Sequence, residues 1–578
     1  MTTGVAVSAA LPWGSRLAAA ERVTAREAIA ARTGVRRMSG SPFGTRTGVR
    51  DPRDAPRIDR PPPRAIRLAA AERVKAPGLV RGPTARRFLR ARRSGKFSGA
   101  CDGEEWVLLP RAVEIGAAPR AAALAIAFVV FGAGGAARAQ TGSIIIGKDA
   151  ASSGRGGTDL AIAEGPLAVL TNPAGLAFQR TGAVYGSLRL FSPETGIEND
   201  LQDASSEAHF LAGPGFGFTW PFGGGASASE PAPLVIGFGF LPEAGFFTDL
   251  VEKTRFFPEG VNTGTEYHIL TFAPGAGFRV SDRFSVGASL HYHHSRFDVS
   301  GPVEQSVDIF QGEVAPGLTF GDILRQFGTE RIQAETDLET TSASGFGGQL
   351  GALWRASDLV SIGGFWRPPG FLEDFDGTVD LDFTGVLPED PDLFPDGLRN
   401  SYDARVSGIR YPQMAGAGAA LSLRRVRLSA DVTWIDWSSA FRKLEIDLTG
   451  SENTGYDAII GDDEIHTEFP LEWRDQWVGA LGVEWKFEDA FVARAGLALA
   501  TNPVPRRTTS PLTPGFARAT ATLGLGYLGE GFLLDMAFLQ TLEETVSVGP
   551  ESEVSDSYED SDISFSNWSV VLGVTVLF

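Results

Sequence analysis

The sequence has one cysteine, Cys101, four methionines and six histidines in 578 residues. A lone cysteine excludes an internal disulfide, and beyond Gln140 there is no thiol to hold a metal. Also missing after Gln140 are any apolar run long enough for a membrane-spanning helix and any sustained apolar repeat of period 3.6. No nucleophile-elbow motif accompanies the histidines, so catalysis has little to stand on, and no cofactor or metal is expected. What the chain has in quantity is glycine (70), phenylalanine (39) and acid (70 Asp+Glu against 52 Lys+Arg, net −18).

That net charge hides two unlike parts. Residues 1–119 carry 23 Lys+Arg and 10 Asp+Glu, whereas residues 140–578 carry 27 and 60. The basic part is rich in Arg, Ala and Pro and has no periodicity. It reads as a disordered leader, or as sequence upstream of a true start near Leu109 or Val113. An Arg-rich arm of this kind can also bind nucleic acid by neutralising phosphates; no nucleic-acid partner is expected here. Residues 120–139 have the layout of a signal peptide: Arg120, the apolar run Ala121–Phe131, then Ala137-Arg138-Ala139, which places a mature start at Gln140.

From Thr181 onward the period is two. Phe284, Val286, Ala288, Leu290 and Tyr292 alternate with Ser285, Gly287, Ser289, His291 and His293; Leu428, Ala430, Val432 and Trp434 alternate with Arg427, Ser429, Asp431 and Thr433. The last residues alternate in the same way, with Trp568, Val570, Leu572, Val574, Val576 and Phe578 on one face, and the terminal aromatic looks like the C-terminal signal of bacterial outer-membrane barrels. Short connections near residues 222–233, 281–282, 355–358, 424–425, 488–489 and 528–531 interleave with long acidic or Pro-rich ones near 194–206, 249–265, 300–334, 373–400, 450–464, 503–514 and 543–562. Six short and seven long connections join fourteen strands. Short periplasmic turns, long outer loops and Trp or Tyr near strand ends are the expected features of a transmembrane antiparallel β-barrel. The expected fold is therefore all-β: a barrel of about 14 strands over residues 181–578, preceded by a segment, residues 140–180, placed to enter the lumen as a hatch.

That segment, GRGGTDLAIAEGPLAVLTNPAGLAF, resembles the N-terminal hatch of the FadL family of outer-membrane transporters, which ends in an Asn-Pro-Ala motif: here Asn172-Pro173-Ala174. Similar stretches occur at Tyr411-Pro412-Gln413, Asp436-Trp437-Ser438, Trp473–Trp477 and Asn502–Pro505. The resemblance implies a hatch gated around Asn172, Pro173 and Ala174. It also implies a kink in the third strand, with Gly237, Gly239 and Gly245, that opens the wall sideways, and a hydrophobic ligand as partner. Long outer loops with the pairs Phe246-Phe247 and Phe256-Phe257 would form a landing site. Arg494, Arg427, Arg355, His293 and His291 are the basic lumen candidates for a ligand carboxylate; the same side chains could instead pair with lumen acids such as Asp431 and Glu484. The expected substrates are long-chain fatty acids or aromatic hydrocarbons, the expected surroundings outer-membrane lipid and lipopolysaccharide, and the expected state a monomer. A docking role for secreted proteins is the alternative. The acidic runs 373–382, 389–396 and 551–562 lack calcium-loop spacing and read as solvated loops.

Overall fold

The computed structural model describes residues 142–206, 210–222, 232–340, 342–387, 397–461 and 464–578. The expected leader, the signal peptide, Cys101 and the acidic run 389–396 lie outside these residues.

Alternating sequence becomes alternating burial. In the last strand Trp568, Val570, Val574 and Val576 are part-exposed and Leu572 is exposed, while Asn567, Ser569, Val571, Gly573 and Thr575 between them are buried. Repeated along the chain, this pattern wraps one sheet into a closed antiparallel barrel of fourteen strands. They are β1 (Ala183–Asn199), β2 (Gln202–Ser205 and Leu211–Phe222), β3 (Leu234–Glu252), β4 (Val261–Arg279) and β5 (Phe284–Ser306). Next come β6 (Arg331–Thr340 and Ala343–Arg355), β7 (Val360–Arg367, Phe371–Leu372 and Phe375–Asp382), β8 (Arg399–Ser407 and Met414–Ser422) and β9 (Val426–Ile435 and Lys443–Thr449). The rest are β10 (Ile465–Pro470 and Gln476–Lys486), β11 (Phe491–Ala500), β12 (Ala519–Gly529), β13 (Phe532–Ser547) and β14 (Asp562–Leu577). Strand β14 closes on β1 in the register Val184↔Val576 to Leu190↔Val570. Phe578 continues past it, donating its N–H to the Gly182 carbonyl (2.9 Å) and packing beside Phe218 and Trp220.

The outward face is apolar, with Leu290, Leu481, Leu523 and Leu525 all exposed. Aromatics mark its two borders. On one strand Phe346 and Trp354 both face outward, eight residues apart, and Trp477 and Trp485 repeat the spacing on another. Along a tilted strand that interval is roughly the height of a ~25 Å apolar band. No helix among the described residues is long and apolar enough to cross a membrane.

The strands run further than expected at the long-loop end. Residues 194–206 were expected to be a long connection, yet β1 continues to Asn199 and folds straight back onto β2 (Asn199↔Gln202). Strand β3 likewise continues to Glu252, so Phe246 and Phe247 belong to a strand and not to a loop. The alternation simply persists there, because side chains inside the upper barrel also form a core. Strands β5 to β10 rise together beyond the band, capped by the helices Phe320–Gln326 and Thr454–Ile460.

Candidate functional site

Residues 142–180 pack inside the barrel. They form α1 (Ala150–Gly154), α2 (Ala168–Thr171) and a tight 3-10 turn (Pro173–Phe178). Local chemistry sets each start: Asp149 caps α1 by accepting from the Ser152 N–H (2.6 Å), and Asn172 caps the turn with Pro173 at its first position. Asn172, fully buried, also donates to the Leu160 carbonyl (2.8 Å) and to the Ala352 carbonyl of β6 (3.0 Å). One amide thus joins the plug's own chain to the barrel wall.

The plug sits so close to the wall that many facing positions are glycine. A Cβ on Gly239 would come within 2.7 Å of Val169, one on Gly217 within 2.7 Å of Pro166, and one on Gly277 within 2.6 Å of the Ala177 nitrogen. This revises the expectation for strand three. Gly237 and Gly239 lie in regular ladders with both neighbours and admit Leu176 and Val169 of the plug; they do not kink the strand. The irregularity falls just beyond, where the register with β4 slips between Pro242 and Ala244 and leaves Glu243 as the extra residue of a bulge.

Two buried ionic clusters hold the plug. In the first, Glu484 accepts from Arg155 of the plug (3.0 Å) and from Arg494 (2.7 Å), with Arg427 at 3.6 Å. Arg494 also reaches Asp535 (2.7 Å), and Arg427 makes two 3.0 Å bonds to Glu164 of the plug. Asp431 accepts from the N–H groups of Asp159 (2.7 Å) and Leu160 (2.9 Å). In the second cluster the bulge turns Glu243 inward, where Lys148 of the plug and Arg367 both reach its Oε1 at 2.9 Å. Arg367 also donates to the Tyr411 hydroxyl (2.6 Å) and to Gln349 (2.7 Å). His293 lies within 3.0 Å of Thr271 and stacks on Tyr411 at 4.5 Å.

The predicted residues therefore separate. Arg494, Arg427, His293 and His291 are in the lumen, but the two arginines face the carboxylates Glu484, Asp535 and Glu164; of the two acids named as alternatives, Glu484 is among these and Asp431 is not. Arg355 packs its guanidinium 3.9 Å over the Phe178 ring at the short-turn end. Of the expected aromatic landing site, Phe246 points inward against Tyr267 (5.1 Å) and Phe247 lies on the opposite face of β3. Phe256 is partly buried against the core, and Phe257 is half-buried. Ser289 and His291 hydrogen bond (2.9 Å), but Nδ1 of His291 has no hydrogen-bond partner among the described residues, so nothing orients it as a triad would. Sequence reasoning missed Glu243, Lys148 and Arg367, and named Tyr411 only within a stretch similar to the family, with no role in the lumen. A carboxylate directly after Pro242, inside an apolar strand, was the available signal.

Above the plug is a cavity of about 120 Å³ bordered by Ile144–Lys148, Leu160, Phe365, Ile435 and Val478. A second cavity, of about 60 Å³, lies higher between Phe297, Leu338, Leu381, Leu444, Leu448 and Phe469. Along β9 the lower one touches Ile435 and the upper one Leu444; between them the short helix Trp437–Ala440 and the residue after it bring in Trp437 and Phe441. With Trp473 these rings form a plate, at centroid distances of 4.9–5.1 Å.

The wall has a window. Among the described residues, strands β2 and β3 pair only from Phe216↔Phe240 to Phe222↔Leu234. Above that, the only strand with which β3 pairs among them is β4, until Gln202 and Lys253 hydrogen bond at the top (2.8 and 3.1 Å). The plug's first residues run along this free edge: Ile145 donates to the Glu243 carbonyl (3.1 Å) and Gly245 donates to the Ser143 carbonyl (2.7 Å).

This architecture is shared. The toluene transporter TbuX of Ralstonia pickettii aligns with a TM-score of 0.54 at 19% identity, covering 75% of this chain and 99% of that one. The Pseudomonas putida toluene transporter TodX gives 0.59 at 18% identity (75% and 99% covered). A FadL homologue of Pseudomonas aeruginosa gives 0.57 at 18% (76% and 99%). No match was found among curated proteins. The family model for the outer membrane protein transport proteins (OMPP1/FadL/TodX) matches residues 123–578, so the chain belongs to that family of the outer membrane.

Proposed function

We propose that the chain carries small hydrophobic compounds across the outer membrane by a dry route rather than a water-filled pore. The observation that carries this reading is the combination of a plugged lumen, a mixed cavity at the plug where Lys148, Arg367, Glu243, Asp159 and Asp431 join the apolar lining, an uncharged cavity above it, and a window beside the plug whose free edge the plug holds. A ligand in the lower cavity touches the same residues, Ile144 and Ile145, that line the window. Displacing them would expose the window and let the ligand leave sideways into the membrane. Because Lys148 and Arg367 at the cavity are engaged by Glu243, and Arg494 and Arg427 by their own carboxylates, uncharged compounds such as aromatic hydrocarbons fit better than fatty acids. An engineered apolar cavity of about 150 Å³ holds benzene, so a lower cavity of about 120 Å³ needs only modest widening for one aromatic ring.

The test is uptake of labelled toluene and labelled oleate by bacteria lacking their own transporter and expressing this chain. Chain-dependent toluene uptake is expected. No gain with either compound would refute transport and leave the docking role.

A further inference from the structure

The upper cavity has its own closure. Beyond Ser300, β5 pairs only with β6 (Val303↔Ala334 to Ser306↔Arg331), because its ladder with β4 ends at Gly264↔Ser300. Among the described residues the segment Ile465–Pro470 of β10 pairs only with β9: its ladder with β11 ends at Val478↔Ala500, and the chain after β11 follows β10 by single bonds (Arg474 N–H to the Pro503 carbonyl, 2.7 Å; Thr508 Oγ1 to the Leu471 carbonyl, 2.8 Å) no higher than Leu471. Six strands, β5 to β10, therefore curl into a smaller barrel above the band whose two free edges face each other. Among the described residues no ladder joins them. What spans the seam is one side-chain hydrogen bond, Thr467 Oγ1 to Gln305 Oε1, at 3.1 Å.

The seam separates two voids. Inside is the 60 Å³ cavity, whose lining contains no titratable side chain. Its Thr265 hydroxyl is buried and has no hydrogen-bond partner among the described residues. Outside is a cavity of about 200 Å³ that also touches the loop after β13 through Val554, Ser555 and Tyr558; Glu304, Arg331, Glu468 and Glu553 border it, so the uncharged lining begins only at the seam. The two share Val303, Gln305, Ile446, Thr467, Phe469 and Leu512. That loop is fixed to β5 by Glu304, which accepts from Ser555 (2.8 Å) and the Asp556 N–H (3.0 Å) and pairs with Arg331 (3.0 Å).

We propose that the β5–β10 seam is the entrance by which an uncharged, ring-sized apolar molecule passes from the outer void to the inner one, with Gln305 and Thr467 as its latch. The proposal rests on the transport reading above. One neutral hydrogen bond is a weak closure, whereas the other strand-to-strand boundaries of this small barrel are ladders of backbone bonds. The sealed inner void is too small for an aromatic ring, and parting the latch joins it to a larger one. The uncharged lining gives an ion nothing to pair with and gives the unsatisfied Thr265 hydroxyl a π face to meet.

The test places cysteines at both positions (Q305C with T467C, Cys101 replaced by serine) and joins them with a short, reducible bis-thiol reagent in whole cells. Linked protein is expected to take up labelled toluene roughly tenfold more slowly or worse than the same protein after reduction, because the open state is removed. Equal uptake before and after reduction overturns the entrance while leaving transport intact; absence of uptake by the unaltered chain overturns transport itself. The single variant Q305A, which removes the latch without a cross-link, is expected to raise the uptake rate severalfold; an unchanged or lower rate counts against the entrance.

Discussion

Glu484 is the residue on which the plug's anchoring turns. It faces Arg155, Arg494 and Arg427 in a space with almost no solvent, so removing its charge takes away the carboxylate they share and leaves them Asp159, Asp535 and Glu164 alone. Breaking a buried pair in this way costs about 3–5 kcal/mol. Glu484→Gln is expected to loosen residues 142–180, seen as a large rise in amide hydrogen exchange there while the barrel strands keep their protection. A second residue gives a pH dependence outside the membrane-spanning part. Glu252, at the top of β3, is fully buried, and burial pushes its carboxyl up to about 7; it accepts from the Tyr558 hydroxyl (3.2 Å). Its native value lies above its unfolded value, so its contribution is complete below about pH 4.3 and fades as pH rises through about 7. The loop carrying Tyr558 should become more protease-sensitive between pH 5 and 8, and Glu252→Gln should abolish that trend. The lumen positions of Arg494, Arg427 and His293 were legible from parity alone. Glu484 was legible as a lumen acid in the same way; the plug partner Glu164 of Arg427 was not, because strand spacing fixes a side chain's face but not which plug residue meets it.

At the scale of elements, the plug and the third strand depend on each other. Gly239→Val would drive a side chain into Val169 and Leu170. It is expected to displace the plug and raise single-channel conductance in a planar bilayer, with the barrel's thermal stability little changed. Ile145→Pro removes the N–H that Glu243 accepts at the window. Faster uptake is expected, measured as the initial rate for toluene; a slower rate would count against the window as the exit. The NPA turn and the hatch position were readable from sequence because they precede the first alternating segment. The bulge at Glu243 was not: a single extra residue leaves alternation on both sides intact and merely changes its phase.

At the scale of the molecule, fourteen strands, the closing pairing of β14 with β1 and the alternation of short and long connections were all present in the sequence. A two-residue period with aromatic borders has few other homes. The tall upper barrel was not foreseen, because loops rich in Pro and acid mask strands that continue through them, as β1 and β3 do. The account stands on a lumen that is closed to ions and open to apolar molecules. Paired measurements on the same chain test this most directly: ionic conductance of the purified protein in a planar bilayer, and toluene uptake by cells expressing it. The account predicts negligible steady conductance together with chain-dependent uptake. Large ohmic conductance without any gain in toluene uptake would contradict it.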